Sequence, residues 1–564
     1  MANIVQNKVW DAIVVGSGIS GGWAAKELTE KGLETLVLEA GRPIDPGRDY
    51  VEHLPSWDLP YRGMLSPEDS RTRHIQRLCG ACEGWAAKFF VNDLENPYTF
   101  DEDEPFHWIR GRHVGGRSIM WGRQSYRWSD LDFEANARDG HGVDWPIRYT
   151  DIAPWYDYVE RFAGISGAKE GLDHLPDGEF LPPMDLNCVE QHVREQLLDK
   201  FGGRRLLTIG RTAILTQSHN GRAACHYCGP CHRGCITGSY FSSNSSTLPA
   251  ARATGRLTVR PYSVVRSLNF DPETGKASGV NIVDGLTMAN VEIRGKIIFL
   301  CASSLESTRI LLNSADRDFP EGLANSSGQL GRNVMDHTMG GGAVGTMPGW
   351  EKQEFFSQRP NGIYLARFRN VNSRHPDFLR GYAYQGGAFR PRWERGVAMA
   401  GFGADFKNKL KEYGPWSMRL YGFGECLPNP ENRITIDPDK TDRWGIPVLK
   451  FKVKWRENER RMLEDMRDSA AEMLEAVGAK NVVPFLENNA PGLTIHEMGT
   501  ARMGHDPKTS VLNAYNQCHD VRNVFMTDGA CMTSSANQNP SLTYMALTAR
   551  AADYAVKAMA DGEI

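Results

Sequence analysis

The first 41 residues alternate between apolar runs and turns in a way that names the elements. Residues 11–15 (DAIVV) are a short apolar stretch rich in β-branched side chains, which reads as a strand. GSGISGG follows, then WAAKELTEK with helical periodicity, closed by Gly32 just past the helix end. TLVLEAG returns to a strand, so this unit predicts a right-handed crossover in a parallel sheet. Residues 45–110 are rich in Pro, Asp and aromatics and predict long surface excursions, and HVGGRSIMWG (113–122) is a second glycine-rich turn. Residues 151–200 read as helices and loops. SSNSSTLPAARATG predicts a capped helix leading into the strand LTVRPYSVV, and KIIFLCASS (296–304) a buried strand entering the helix ESTRILLNS.

Residues 340–455 alternate in a strand-like way, as in RITID and VLKFKVKW, and predict an antiparallel sheet. Residues 457–478 form a long amphipathic helix with many i,i+4 charge pairs, read as a solvated outer helix. The C-terminus gives a last strand, VFMTDG, and a helix from Pro540. No internal repeat or low-complexity tract interrupts this order.

Composition narrows the function classes. The 564 residues carry 65 Lys and Arg against 69 Asp and Glu, a net charge of −4 that gives no reason to expect nucleic acid or an anionic membrane as partner. No stretch of about 18 apolar residues predicts a membrane-spanning helix. The start, MANIVQNKVW, has no apolar signal region, so no export signal of the chain's own is expected. The eleven cysteines are clustered and odd in number, which argues against an extracellular disulfide framework.

Two constellations carry chemistry. Gly16, Gly18 and Gly21 form G-x-G-x-x-G between strand and helix. The first glycine permits the turn, the second lets a pyrophosphate approach, and the third lets helix pack on strand. The helix N-terminus then offers unpaired N–H groups to the phosphates. Glu39, 23 residues after Gly16, ends the second strand, where it can accept ribose hydroxyls and repel a 2′-phosphate. This motif binds a dinucleotide but does not separate FAD from NAD. The second constellation is CHYCGPCHRGC, in which Cys225, Cys228, Cys231 and Cys235 are spaced C-x2-C-x2-C-x3-C. Four thiolates on one Gly-rich loop can hold an iron–sulfur cluster or a structural zinc; free or disulfide-linked cysteines are the plain alternative. Cys79 and Cys82 make a further C-x2-C, to which no cofactor is assigned.

HEMGTARMG (496–504), NVFMTDGA (523–530) and NPSLTYMALTAR (539–550), with GSGISGG, VGGRSIMWG, CASSLESTRILLNS and SSGQLGRNVMDH, resemble the glucose–methanol–choline (GMC) family of flavin oxidoreductases in family order. Within it the chain looks most like bacterial sugar dehydrogenase large subunits, glucoside 3-dehydrogenases especially. The resemblance implies an α/β fold: a Rossmann-like FAD-binding domain (1–150, 200–335 and 490–564, with the Cys-rich loop 222–238) interwoven with a substrate domain built on an antiparallel sheet with helices (151–199 and 336–489). It implies His496 as catalytic base and Asn539 as the second polar residue, although Asn539 before Pro540 also suits a helix N-cap. It implies Gly115, Gly116, Val264, Val265, Asp528 and Pro540 around the cofactor. Met120 stands where some relatives attach FAD through histidine, which predicts non-covalent FAD unless His113 is used.

Trp121, Tyr126 and Trp128 are candidates for stacking on a sugar, and Arg123, Gln124 and Gln385 for binding hydroxyls. The resemblance further implies oxidation of a secondary hydroxyl of a sugar or glycoside, C3 of a glucoside being the best match. It also implies a 4Fe-4S or 3Fe-4S cluster on the cysteine loop, a small subunit, and a cytochrome-type electron acceptor. Export to the periplasm with a signal-bearing partner follows from that branch, a cytoplasmic enzyme being the alternative. A flavin oxidase with structural cysteines and a non-enzymatic, zinc-stapled nucleotide-binding subunit are the competing functions.

Overall fold

A computed structural model describes residues 4–354, 358–487 and 489–564. β1 (Ile4–Val15) and β2 (Thr35–Leu38) run parallel, Ala12 opposite Thr35, and are joined through α1 (Ile19–Glu30). Their register buries Ile13, Val14, Val37 and Leu38 completely, as expected of a parallel strand pair covered on both faces. The strand order of this first sheet is Leu257–Arg260, β2, β1, Asn290–Leu300, Lys276–Asp284, Ser263–Asp271, with Val524–Met526 also parallel to Asn290–Leu300. The segment LTVRPYSVV is therefore two strands, not one. Pro261 lacks an N–H and Tyr262 takes φ +54°, so the chain breaks there and the halves sit at opposite ends of the strand order.

The second sheet is antiparallel throughout, in the order Lys480–Leu486, Thr338–Thr346, Ser417–Gly424, Tyr382–Phe389, Ile363–Leu365, Leu207–Ile209. Leu207–Ile209 thus belongs with the substrate-side sheet, although its position in the sequence fell in the cofactor segment 200–335. RITID and VLKFKVKW lie outside this sheet; as Arg433–Thr441 and Pro447–Lys452 they form a separate three-stranded sheet with Thr99–Phe100. Helix Glu457–Ala476 covers the second sheet with Met462, Met466 and Met473, all fully buried, and turns its charge pairs outward. Its amphipathic period is thus half core and half solvated face.

The first sheet and the C-terminal helix Ser541–Ala560 meet across α1. That helix buries Ala546, Ala549, Ala552 and Ala555, whose small side chains let two helices approach closely. The tightest approach is at Gly21, where a Cβ atom would stand 1.9 Å from the Gly16 carbonyl oxygen, which is backbone and cannot move aside alone. Gly21→Ala is therefore expected to cost about 1–3 kcal/mol by overpacking, read as a lowered thermal midpoint. An unchanged midpoint would mean that helix and strand are less tightly apposed than described.

Candidate active site

The glycine turn and the second strand build one end of the site. Gly16 takes φ +92°, and a side chain there would strike the Cys301 carbonyl at 2.5 Å. Gly18, the N-cap of α1, has open space where its side chain would be, and Gly116 closes in from the second glycine turn. Glu39 Oε2 accepts from the Ser17 amide (3.1 Å) and hydroxyl (2.6 Å), and Oε1 from the Gly41 amide (2.9 Å). Burial pushes its carboxyl above the ordinary range, against these hydrogen bonds. The Gly115 amide in turn donates to Ser17 Oγ (2.9 Å), tying the two glycine turns together.

A cavity of about 670 Å³ runs from this turn. Gly16, Gly18, Glu39, Gly116, Val264, Val265 and Asp528 line it, while Gly21, Gly115 and Pro540 are not part of its wall. Asp528 accepts from Ser307 Oγ and the Ala530 amide, and burial lifts its carboxyl to about 6. An open cradle at a helix N-terminus, an acid at the strand end and valines along the wall fit a dinucleotide cofactor. Met120 lines the same cavity, whereas His113 is buried against Phe89 and does not. No imidazole therefore stands on the wall at that point, which fits non-covalent binding.

At the other end of the same cavity are His496 and Asn539. Two distant segments hold them, because Met335 and Met498 exchange backbone hydrogen bonds at 2.9 Å and so bring residues 335–337 beside 495–498. Asp336 is the fixing point. It accepts from the Gly492 amide (2.9 Å), the Thr494 hydroxyl and the His496 amide (3.1 Å). The turn it holds is strained: Ile495, β-branched, takes φ +66° immediately before His496. Such a conformation costs of order 1–3 kcal/mol. Hydrogen bonds to a charged acceptor contribute about 1.5–3 kcal/mol each, so three of them outweigh the strain.

The His496 ring lies between two partners. Its Nδ1 is 3.1 Å from His337 Nδ1, and its Nε2 is 3.4 Å from Asn539 Nδ2. Asn539 Oδ1 accepts from Gln385 Nε2 (2.7 Å), which turns the amide NH2 toward His496. An amide N–H pointing at Nε2 requires a lone pair there, so the network assigns the His496 proton to Nδ1, donated to His337. His496 thus presents an unprotonated Nε2 to the cavity. Burial, then the neighbouring His337 and Arg117, hold its pKa well below the usual histidine value, and burial lowers His337 to about 4. Both rings are neutral at physiological pH.

Asn539 does not cap the last helix: the N-cap is Pro540, and no side chain caps it. Gln385 acts by orienting Asn539 and is not itself on the cavity wall. Trp121, Arg123 and Gln124 do line the cavity, but Tyr126 and Trp128 are fully buried core, Tyr126 stacked on Tyr364 at 4.0 Å. Asp336 and His337, in the motif MDH, were given no role by sequence reasoning. The motif itself was the only available signal, because their partners lie about 160 residues away.

The cysteine loop reaches the same cavity through Gly229 and Cys231. All eleven cysteines are free. Among the described residues, no group of three or more His, Cys, Asp or Glu is arranged to hold a metal ion. The expected ligand set Cys225, Cys228, Cys231 and Cys235 is therefore brought onto one loop but not into a metal-holding arrangement. The loop is engaged locally instead. Cys225 Sγ accepts from the Tyr227 amide (3.3 Å), Cys235 Sγ meets Thr237 Oγ1 (3.4 Å), and His232 and Arg233 are tied to Glu83. Burial pushes the Cys225 thiol up to about 11.

A family model described as GMC oxidoreductase matches residues 10–339, and a second with the same description matches 428–548. The 2-methyl-1,2-propanediol dehydrogenase of Mycolicibacterium austroafricanum is 28% identical, over 98% of this chain and 96% of that protein. The fructose dehydrogenase large subunit of Gluconobacter japonicus is 25% identical, over 96% and 97%. Among solved structures, pyridoxine 4-oxidase from Mesorbium loti superposes with a TM-score of 0.59 at 19% identity, over 97% of this chain and 99% of that one.

The Asp336 carboxyl, raised by burial from 3.8 to about 6, stabilises the folded state fully below 3.8, and that contribution is lost as pH rises through about 6. Asp336→Asn should remove this part of the stability–pH curve and, by loosening the strained turn, lower turnover about 10–100-fold with the cofactor still bound. Wild-type turnover in this variant would show that His496 is positioned without the clamp.

Proposed function

The chain belongs to the GMC oxidoreductase family, and from that premise we propose that it is an FAD-dependent dehydrogenase oxidising a secondary hydroxyl of a sugar or glycoside, C3 of a glucoside first. The observation that carries this reading is the placement of His496 Nε2, 3.4 Å from Asn539 Nδ2, in the cavity that the glycine cradle also lines. When bound, FAD supplies the hydride acceptor. Gly16, Gly18, Gly116, Glu39, Val265 and Asp528 would hold it. His496 Nε2 takes the proton of the hydroxyl, and its neutrality at working pH keeps the base available. The 3.4 Å contact with Asn539 is long enough to yield to a substrate oxygen, after which the amide can hold that oxygen. His337 Nδ1 accepts the His496 Nδ1 proton throughout and so keeps the ring from turning.

A hydroxyl-rich substrate is supported by the wall beside Trp121. Arg123 and Gln124 line the cavity there as polar side chains, the Arg123 guanidinium steadied by the Trp121 and Pro360 carbonyls. No electron step is derived through an iron–sulfur group, because the four thiols are not arranged to hold a metal ion. A small partner subunit, a cytochrome-type acceptor and export with that subunit complete the reading on resemblance, one relative being named a large subunit.

Anaerobic addition of glucosides should bleach the flavin, and artificial electron acceptors should restore its colour. Stoichiometric peroxide formation in air would point to an oxidase instead. His496→Ala should slow bleaching by about 10²–10⁴-fold while FAD absorbance is retained, and undiminished bleaching would remove His496 as the base.

A further inference from the structure

The connection between strands Tyr382–Phe389 and Ser417–Gly424 leaves the second sheet as an excursion of two short helical pieces, Trp393–Val397 and Gly403–Lys411. Its base is fixed: Arg390 donates to the carbonyls of Gly414, Glu351 and Gln353, and the Gly414 amide to Pro391. Its tip is held together by Phe406, whose ring lies against both Gly396 and Gly401, with 3.4 Å and 2.9 Å to the positions their Cβ atoms would take. The chain neighbours of those glycines, Val397 and Phe402, therefore flank one ring on one end of the excursion. They are 95% and 93% exposed, the most exposed large apolar residues among those described, and Trp393 is 68% exposed. Residues that exposed sit on a convex knob and line no groove.

The same excursion is cationic. Between residues 390 and 413 stand six Lys and Arg against three Asp and Glu, in a chain whose net charge is −4. Arg390 and Arg395 spend their guanidiniums on backbone carbonyls and Lys411 donates to the Asn408 side chain. Lys407, Lys409 and Lys411 form no ion pair with a carboxylate among the described residues. Whole-chain charge thus conceals a local positive field.

We propose that the tip of this excursion is a peripheral docking surface for an anionic lipid bilayer. An apolar knob with Val, Phe and Trp inserts into the soft boundary between headgroups and acyl chains, where Trp is favoured. The surrounding cations meet the anionic headgroups, which fixes the sign of the lipid. A rigid protein surface would need a preformed pocket to receive side chains so fully exposed, whereas a bilayer deforms around them. This surface lies apart from His496 and does not depend on the reaction assigned above.

Flotation of the FAD-loaded full-length protein with vesicles decides it. Vesicles of phosphatidylglycerol and phosphatidylcholine should carry the protein upward, and pure phosphatidylcholine should not. Raising the salt should weaken the association. The pair Val397→Ser and Phe402→Ser should reduce it at least about tenfold, and so should Lys407→Gln, Lys409→Gln and Lys411→Gln together. Bound-FAD absorbance and the thermal midpoint should be unchanged in both variants, which shows them folded. Failure to float with anionic vesicles, or flotation indifferent to the Val397 and Phe402 changes, overturns the proposal. A stoichiometric complex with another protein that needs Phe402, in the absence of flotation, overturns it as well.

Discussion

One buried carboxylate holds the turn that carries His496. Asp336 gathers two amides and a hydroxyl from residues 492–496, and by doing so keeps Ile495 in a left-handed conformation that its branched side chain opposes. The strain is comparable to a single good hydrogen bond, and the Asp336 clamp offsets it together with the Ile495 amide's bond to the Gly492 carbonyl (3.1 Å) within the turn. The direction of the His496 ring is therefore set by a residue that does not itself line the cavity. The carboxylate is itself placed by the Met335–Met498 backbone pairing at the entry to the second sheet.

From that fixing point the chemistry is a matter of proton placement. A neutral imidazole between an amide N–H and a second imidazole has one consistent arrangement of hydrogens once the amide is oriented. His337 Nε2 is then left buried without a hydrogen-bond partner among the described residues, and burial outweighs the Ala536 backbone, which favours its charged form. That unsatisfied group is a local cost, which the packing of the two sheets must carry.

The parts legible in the sequence are those whose signals are local. The β1–α1–β2 unit, its three glycines and the acid at Glu39 fall within a few turns of one another, and Gly16 and Gly21 meet steric demands that only glycine fulfils, while Gly18 leaves open space. His496 and Asn539 were legible because short motifs surround them, and the structure brings them to one cavity. What stayed hidden depends on pairing across long separations. The roles of Asp336 and His337 come from contacts with residues about 160 positions away, and Gln385, read from the sequence as a candidate hydroxyl binder, instead holds Asn539 across 154 positions. The split at Pro261–Tyr262 was visible in principle, since a proline inside a strand argues for a break. The cysteine spacing described a loop but not its conformation, which the contacts of His232 and Arg233 with Glu83 help to set.

The Gln385–Asn539 hydrogen bond crosses from the second sheet to the start of the last helix. It makes the chemical state of one nitrogen a reporter of how the two halves of the molecule are seated. A slide of strand Tyr382–Phe389 by about one ångström would take the bond out of hydrogen-bond range and free the carboxamide to rotate. Nε2 would then face a carbonyl oxygen, and the preferred tautomer would reverse. Mutations far out on the second sheet thus have a route to the proton acceptor that passes through no substrate contact, and the tolerance of that sheet to change is narrowest along the strand direction.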